Sequence, residues 1–193
     1  MVNYYIISDD SYFSYGLAEA LKSLKKTVSH FNPADVIRGE LSESAEGSVI
    51  LIDVDCCWLF RNVAWKLRDC KGMIIPIFDL THSTFHKSWE FGYLSKRERM
   101  DNIVSGLFRF SIPGGYRSFT ANQESVICAQ IDGKDNHSVA SSLDTSLASV
   151  YRLRIEAMKH CGLWPINSQG VRYLYQILCR NNFQKQKKAL MNN

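Results

Sequence analysis

A polar stripe within residues 146–161 contains the residues of this sequence whose types and spacing suggest a definite chemistry. At about 100° per residue, the segment SLASVYRLRIEAMKHC places polar side chains on one side of a helix and apolar ones on the other. The guanidinium of Arg152 can pair with two acceptors on a guanine edge, and Arg154 and Lys159 carry the charge that phosphates attract. Glu156 can orient Arg152, accept a hydrogen bond from a cytosine amino group, or repel phosphate. The stripe suits duplex DNA, and a solvated helix face that binds nothing is the alternative.

Three predicted helices position this stripe. The first opens at Phe119-Thr120 and ends at Gly133. Asn136 can cap a second, short helix, and Ser146 can cap the third after a turn at Asp144. A short helix, a tight turn and a longer basic helix form the arrangement that lays a recognition helix in the major groove.

The segment from residue 119 to 163 resembles the DNA-binding domain of LuxR/FixJ-type (NarL-type) response regulators. Its matches to that pattern are Thr120, Val126, Gly133, Asn136, Ala140, Leu143, Ser146, Val150 and Gly162. The resemblance implies that the helix 146–161 reads DNA, through Ser146, Ala148, Ser149, Arg152, Arg154, Glu156 and Lys159. Among family members, this helix is most similar to that of regulators of capsule and fimbrial genes in enteric bacteria.

The charge of the chain is unevenly distributed. Residues 119–193 hold nine Lys and Arg against five Asp and Glu, whereas residues 1–118 hold fourteen of each. The whole net charge of +4 therefore belongs to the predicted DNA-binding segment, where it attracts phosphate. Because this excess is modest, we expect a single copy to bind double-stranded DNA weakly. We therefore expect the protein to act as a homodimer or as a heterodimer with another regulator.

The first half of the chain alternates strand-like and helix-like segments, which is typical of an α/β domain with a parallel sheet. The uninterrupted apolar run Val49–Ile52 suits a strand buried on both faces. The predicted order is strand 4–7, helix 11–24, strand 49–52, helix 61–68, strand 73–78, strand 91–94 and helix 100–108. We predict domains at 1–108 and 119–193, joined by a linker at 109–118 that contains Pro113-Gly114-Gly115.

The segments ISDDSYFSYGLAEAL, VILIDVD and FGYLSKRERMDNIVSGL resemble the receiver domain of bacterial response regulators. The resemblance implies a flavodoxin-like fold with a five-stranded parallel sheet. It also implies roles for six residues, namely the phosphoacceptor (Asp53), the acidic pocket (Asp9, Asp10 and Lys96) and the switch positions (Tyr93 and Thr81). In such a site three carboxylates hold Mg²⁺ and the lysine pairs with the phosphoryl group.

The receiver-like segment departs from its family in ways that leave two hypotheses open. After Asp53 the sequence reads Val-Asp-Cys-Cys-Trp, where relatives have a loop containing Gly or Pro. Relatives carry a hydroxyl residue at the end of the fourth strand. Counting from Asp53 puts Thr81 at that position, whereas strand hydrophobicity favours Phe78 or Asp79. The chain between that strand and Lys96 is also short for a fourth helix. Either the domain is a degenerate receiver in which Lys96 is a counter-charge, or Asp53 is phosphorylated with Mg²⁺.

Three functions follow, and none is enzymatic, because no nucleophile–base set is found outside the acidic pocket. The first is a DNA-binding transcription regulator whose degenerate receiver mediates dimerisation or partner contact. The second is an ordinary phosphorylation-switched response regulator, which small phosphodonors with Mg²⁺ would reveal at Asp53. The third is an auxiliary protein that acts by pairing with another transcription factor.

The remaining features narrow the class of protein. The six cysteines have no metal-ligand spacing, so we predict no structural metal and no required cofactor. No apolar run approaches the ~20 residues that cross a membrane, so we expect a soluble, cytoplasmic protein. A fourth helix is predicted at 168–179, where the family resemblance implies a homodimer contact and core packing within one chain is the alternative.

Overall fold

The computed structural model describes residues 2–41, 47–79, 92–109 and 119–160, together with the helical residues Val171, Arg172, Leu174, Tyr175 and Cys179. The chain divides into two compact units, Met1–Gly114 and Gly115–Asn193. Several predicted features lie outside the described residues, namely Thr81, linker residues 110–118, Cys161, most of the predicted fourth helix and the basic residues 184–193. No helix within the described ranges is long and apolar enough to span a membrane.

The described part of the first unit alternates strands and helices. The strands are β1 (Asn3–Ser8), β2 (Thr27–Phe31), β3 (Val49–Asp53), β4 (Met73–Phe78) and β5 (Leu94–Ser95). The helices are α1 (Ser11–Ser23), α2 (Pro33–Arg38), α3 (Cys57–Lys66) and α4 (Met100–Arg109). All four strand pairings are parallel and the order is β2-β1-β3-β4-β5, which is the flavodoxin-like order. The predicted fold class is confirmed for this unit.

Helices cover both faces of the sheet because successive side chains of its inner strands point in opposite directions. One face packs against α1 and α4 and includes Ile6, Leu51 and Ile77. On the other face, the ring of Phe60 from α3 lies 6.3 Å from that of Phe78. Strand β3 is buried along its whole length, as its apolar sequence predicts.

Two elements of the first unit, β2 and α2, were not predicted individually from the sequence. Strand β2 lies at the edge of the sheet, and none of its residues is fully buried, so its hydrophobic pattern is weak. Helix α3 begins at Cys57, four residues before the predicted Arg61. The last strand is Leu94–Ser95, later than the predicted 91–94, of which residue 91 lies outside the described part.

The second unit contains three described helices, α5 (Ala121–Ile131), α6 (Asn136–Ser142) and α7 (Leu147–His160). A capping box of Thr120 and Gln123 begins α5, and Gly133, at a φ of +79°, follows its end. Helix α6 is capped by Asp135, whose carboxylate accepts from the Ser138 N–H at 2.9 Å. The predicted cap, Asn136, is instead the first residue of that helix, because the carboxylate one position earlier reaches the free N–H groups.

The turn between α6 and α7 fixes the start of the third helix. Asp144 has a φ of +47°, a left-handed conformation that aspartate tolerates better than most residues. The hydroxyl of Ser146 then accepts from the Ser149 N–H at 3.1 Å, as expected of a cap. Helix α7 packs on α5 and α6 through a small core that includes Val126, Val139 and Val150.

Candidate functional site

The carboxyl edge of the sheet brings several residues predicted to act in the first unit close together. Ser8 and Asp53 end β1 and β3, and these two residues are direct partners in the strand register. Lys96 immediately follows β5. Because parallel strands end at the same edge, loops that are distant in sequence converge there, which is also where open α/β sheets bind ligands.

Lys96 occupies the centre of this edge. Its Nζ lies 2.7 Å from Asp53 Oδ1, 3.2 Å from Asp10 Oδ2 and 3.4 Å from Asp55 Oδ2. We call Lys96 and these three carboxylates the Lys96 cluster. The lysine side chain is 10% exposed and that of Asp53 is 1% exposed, so this contact is an almost fully desolvated ion pair.

Two members of the site were not predicted from the sequence. Ser8 Oγ lies 2.8 Å from Asp53 Oδ2 and donates to it, so both oxygens of the buried carboxylate have a polar neighbour. Asp55 joins the cluster from the loop between β3 and α3, with its Oδ2 3.4 Å from Lys96 Nζ. The strand register that aligns Ser8 with Asp53 cannot be read from one sequence. Asp55 could have been found, because it is the last residue of the VILIDVD segment.

Asp9 has a different role from the other acidic residues. Its carboxylate accepts hydrogen bonds from the backbone N–H of Asp55, at 3.0 and 3.1 Å, and of Cys56, at 3.2 Å. Its own N–H donates to the carbonyl oxygen of Asp53 at 3.3 Å. Asp9 therefore holds the loop that carries Asp55 in place.

Asp10 links the start of α1 to the cluster. Its Oδ1 accepts from the Phe13 N–H at 3.0 Å, which caps the helix, while Oδ2 faces Lys96. The Phe13 N–H bond and the charge of Lys96 hold the pKa of Asp10 below its ordinary value. This carboxyl group is therefore ionised at neutral pH and serves as an N-terminal cap.

Burial and charge act in opposite directions on the central pair. Burial raises the pKa of Asp53 to about 6, against the lowering effects of Lys96 and Ser8. Burial alone would lower the pKa of Lys96, but the hydrogen bond and charge of Asp53, together with Asp10 and Asp55, raise it above its ordinary value. Lys96 is thus a permanent cation near neutral pH, and Asp53 is the member of the pair that titrates.

This titration predicts that the first unit gains stability as the solution becomes mildly acidic. The folded pKa of Asp53 is about 6, above the unfolded value of about 3.9. The folded chain therefore binds the proton more tightly, and this contribution to stability is lost as the pH rises through about 6. Urea unfolding should show Asp53 adding about 1 kcal/mol to the free energy of unfolding at about pH 5 relative to about pH 7.5.

The control for this measurement is Asp53→Asn, which cannot titrate. The informative quantity is the difference between the native chain and the variant, because it removes pH effects that do not involve Asp53. A native chain whose pH dependence parallels that of Asp53→Asn would contradict the prediction.

The carboxylates of this edge do not fit a magnesium ion. Mg²⁺ needs several free oxygen ligands in octahedral geometry. Asp53 and Asp10 instead face the ammonium group of Lys96, and Asp9 is engaged by two backbone N–H groups. Over the described ranges, no three His, Cys, Asp or Glu side chains are placed to hold a metal ion. The expected set of Asp9, Asp10 and Asp53 is therefore not a metal site in this structure, because Lys96 and the backbone occupy its donors.

The two predicted switch positions have different outcomes. Tyr93 is fully buried just before β5, with its ring 6.3 Å from that of Phe78. Thr81 lies outside the described residues. Strand β4 ends at Phe78, and the next residue, Asp79, forms an ion pair with Arg97. The last residue of β4 therefore carries no hydroxyl group.

The second unit places the polar stripe on the outer side of α7. Val150, Ala157 and Met158 are buried, whereas the opposite side carries the stripe residues Ala148, Ser149, Arg152, Glu156 and Lys159. Of these, Ser149 is partly buried and the other four are exposed. Ser146 is exposed at the start of the helix and bonds to Ser149. One face of α7 therefore secures the helix in its unit and the other is open to a ligand.

Two arginines of α7 have local partners. Arg152 Nε lies 4.0 Å from Glu156 Oε1, and both side chains are well exposed, so this ion pair is weak. The guanidinium of Arg154 lies 5.1 Å from the ring centroid of Tyr151, an exposed aromatic residue that sequence reasoning did not select. The first contact leaves Arg152 able to exchange Glu156 for another acceptor, and the second places the guanidinium of Arg154 over the ring of Tyr151.

No protein-family model matches this chain, and no curated protein matches it significantly. The structural neighbours are response regulators. RcsB from Salmonella enterica serovar Typhimurium, bound to promoter rprA, is 13% identical with a TM-score of 0.41, covering 89% of this chain and 98% of that chain. The same protein bound to promoter P1flhDC is 14% identical with a TM-score of 0.44, and the match covers 90% of this chain and 98% of that chain.

FixJ from B. japonicum is a further structural neighbour. It is 18% identical with a TM-score of 0.34, and the match covers 91% of this chain and 96% of that chain. Similarity at this level carries no conclusion about function, which rests on the residues and contacts described above.

Proposed function

We propose that this chain is a DNA-binding transcription regulator of the response-regulator class that reads a promoter through α7. The observation that carries the proposal is the polar stripe, an exposed set of hydrogen-bonding and charged side chains on a helix whose opposite side is buried against α5 and α6. The turn at Asp144 and the cap at Ser146 set the start of this helix, where recognition helices approach base edges.

Charge and hydrogen-bonding capacity assign roles within the stripe. Arg152 has a long, exposed guanidinium that matches the O6 and N7 acceptors of guanine. Lys159, one turn beyond Glu156, suits a phosphate. The net charge of +4 on residues 119–193 supplies the attraction that brings the unit to the duplex.

In this proposal the first unit is a degenerate receiver. The Lys96 cluster supplies its own cation, with Nζ 2.7 Å from Asp53 Oδ1, so the buried carboxylate of Asp53 has a counter-charge without metal or phosphate. The unit then contributes dimerisation or partner contact, and the regulator responds to the presence of a partner instead of to phosphorylation. A covalent phosphoryl adduct on Asp53 after incubation with acetyl phosphate and Mg²⁺ would contradict this part.

The test of the DNA-reading role is selection from a random duplex library with the purified full chain at low ionic strength. The native chain should enrich one sequence motif, and Arg152→Ala should lose or relax that motif. The matched control is Arg99→Ala, which removes another well-exposed arginine, from the first unit, and should enrich the native motif. If the native chain enriches no motif, alone or with a candidate partner regulator, the proposal is wrong.

A further inference from the structure

Helix α3 has two tryptophans at the centre of its solvent-facing side. Phe60, Val63 and Ala64 form its buried side. At about 100° per residue, Trp58 and Trp65 lie almost opposite that side and within about 20° of each other. They are 64% and 54% exposed, although tryptophan is highly buried on average. We call this pair the tryptophan face.

The core of the first unit does not account for these two side chains. The nearby Phe60 already supplies the aromatic contact to the sheet, through Phe78. An exposed surface this apolar in the middle of a helix face is typical of a binding surface, because solvent-facing positions of a core-packed helix are otherwise polar.

A basic group is already positioned beside the tryptophan face. The guanidinium of Arg68 lies 4.2 Å from the ring centroid of Trp65, and its Nη1 donates to the Trp65 carbonyl oxygen at 2.7 Å. Tryptophan and arginine are the residue types most enriched among side chains that dominate binding energy at protein interfaces. Because Arg68 is held over the ring before any partner arrives, less side-chain entropy is lost on binding.

The charge around the tryptophan face selects the kind of partner. Residues 57–71 contain four basic residues against Asp69 alone, a net charge of +3. Helix α2 packs against α3, and its acidic neighbours Asp35 and Glu40 both form ion pairs with Arg38. A second copy docked through the same face would set +3 against +3, which opposes self-pairing.

We infer that the tryptophan face docks an acidic amphipathic segment of a partner protein, with the two indole rings covering its apolar side chains and Arg68 and Lys66 facing its carboxylates. This surface belongs to the first unit alone, so the inference holds whether or not α7 binds DNA. It gives the first unit a definite surface through which a partner acts.

Binding can be measured on the full chain, without DNA, by fluorescence anisotropy of a labelled synthetic peptide. The probe is an amphipathic peptide of about four helical turns, with Asp and Glu on one side and Leu and Phe on the other. Its twin carries Lys in place of every acidic residue. The acidic peptide should bind, with an affinity that falls as salt is added, and the basic twin should not.

Variants locate the binding to the tryptophan face. The double substitution Trp58→Ala and Trp65→Ala should lower the affinity for the acidic peptide at least about tenfold. The matched control is Tyr12→Ala with Tyr15→Ala, which removes two exposed aromatic residues from α1 and should leave the affinity unchanged. Lys66→Glu with Arg68→Glu should reverse the preference toward the basic twin. Thermal unfolding of each variant establishes that it is folded.

Four results would overturn the inference. The acidic peptide could fail to bind, or could bind equally well after both tryptophans are removed. A single-stranded oligonucleotide could compete for the face, which would make it a nucleic-acid surface. The two tryptophan substitutions could abolish self-association in sedimentation experiments, which would make the face an interface between copies.

Discussion

Lys96→Met is expected to destabilise the first unit by about 3–5 kcal/mol at about pH 7.5. Methionine fills a similar volume but leaves the buried carboxylate of Asp53 without its cation, whose Nζ is 2.7 Å away. A carboxyl group that is 1% exposed must then either stay ionised without hydration or take up a proton from near-neutral solution, and both cost stability. Urea unfolding followed by circular dichroism measures the loss.

A pair of control variants separates charge from packing in this experiment. Lys96→Met combined with Asp53→Asn should regain most of the lost stability, because both charges are then absent. Lys22→Met, which removes an exposed lysine paired with Glu19, should leave the free energy of unfolding nearly unchanged. The loss in Lys96→Met should also shrink in mild acid, where Asp53 becomes protonated. A loss below about 1 kcal/mol near neutral pH would mean that Lys96 is not the counter-charge.

The second large effect concerns the two kinds of contact expected from the polar stripe. Arg152→Ala should weaken binding to the selected motif by about 10–100-fold, while binding to unrelated duplex changes little, because a base-edge contact distinguishes sequences. Lys159→Ala should weaken all duplexes similarly and reduce the salt dependence by about one phosphate contact. Fluorescence anisotropy over a series of salt concentrations measures both quantities.

Glu156 provides the informative third variant in this set. Its Oε1 lies 4.0 Å from Arg152 Nε on the same exposed side of the helix, so Glu156 either orients the arginine or repels phosphate. Glu156→Ala should strengthen binding to unrelated duplex if repulsion dominates, and should weaken the selected motif if orientation dominates. Equal losses on motif and unrelated duplex for Arg152→Ala would assign Arg152 to phosphate and would contradict the base-reading role.

Hydrophobic patterning predicted the centre of the first unit better than its edge. The runs that became β3 and β4 are buried from end to end or nearly so, and their sequences are continuously apolar. Strand β2 was not recognised individually because an edge strand exposes both its sides, and only two of its five residues are even partly buried. Strand β4 includes Pro76, although proline has no N–H to donate to a sheet and is rare inside strands.

The candidate site was predictable to the extent that chain order determines it. The receiver resemblance suggested that Asp10, Asp53 and Lys96 lie close together, and the order of the strands brings them to one edge of the sheet. Ser8 could not be found this way, because its contact with Asp53 depends on the register between β1 and β3. The hydrogen bonds from the backbone N–H groups of Asp55 and Cys56 to Asp9 could not be predicted either. They depend on the conformation of the loop after β3, which hydrophobic periodicity does not encode.

The strand order also constrains how the chain can fold while it is being synthesised. Strand β1 is bordered on one side by β2, which follows it closely, and on the other by β3, which begins only at Val49. A nascent chain that has emerged as far as α2 therefore carries β1 with one edge still unpaired. Such an edge attracts other strands, so the chain is exposed to aggregation in the interval before β3 leaves the ribosome.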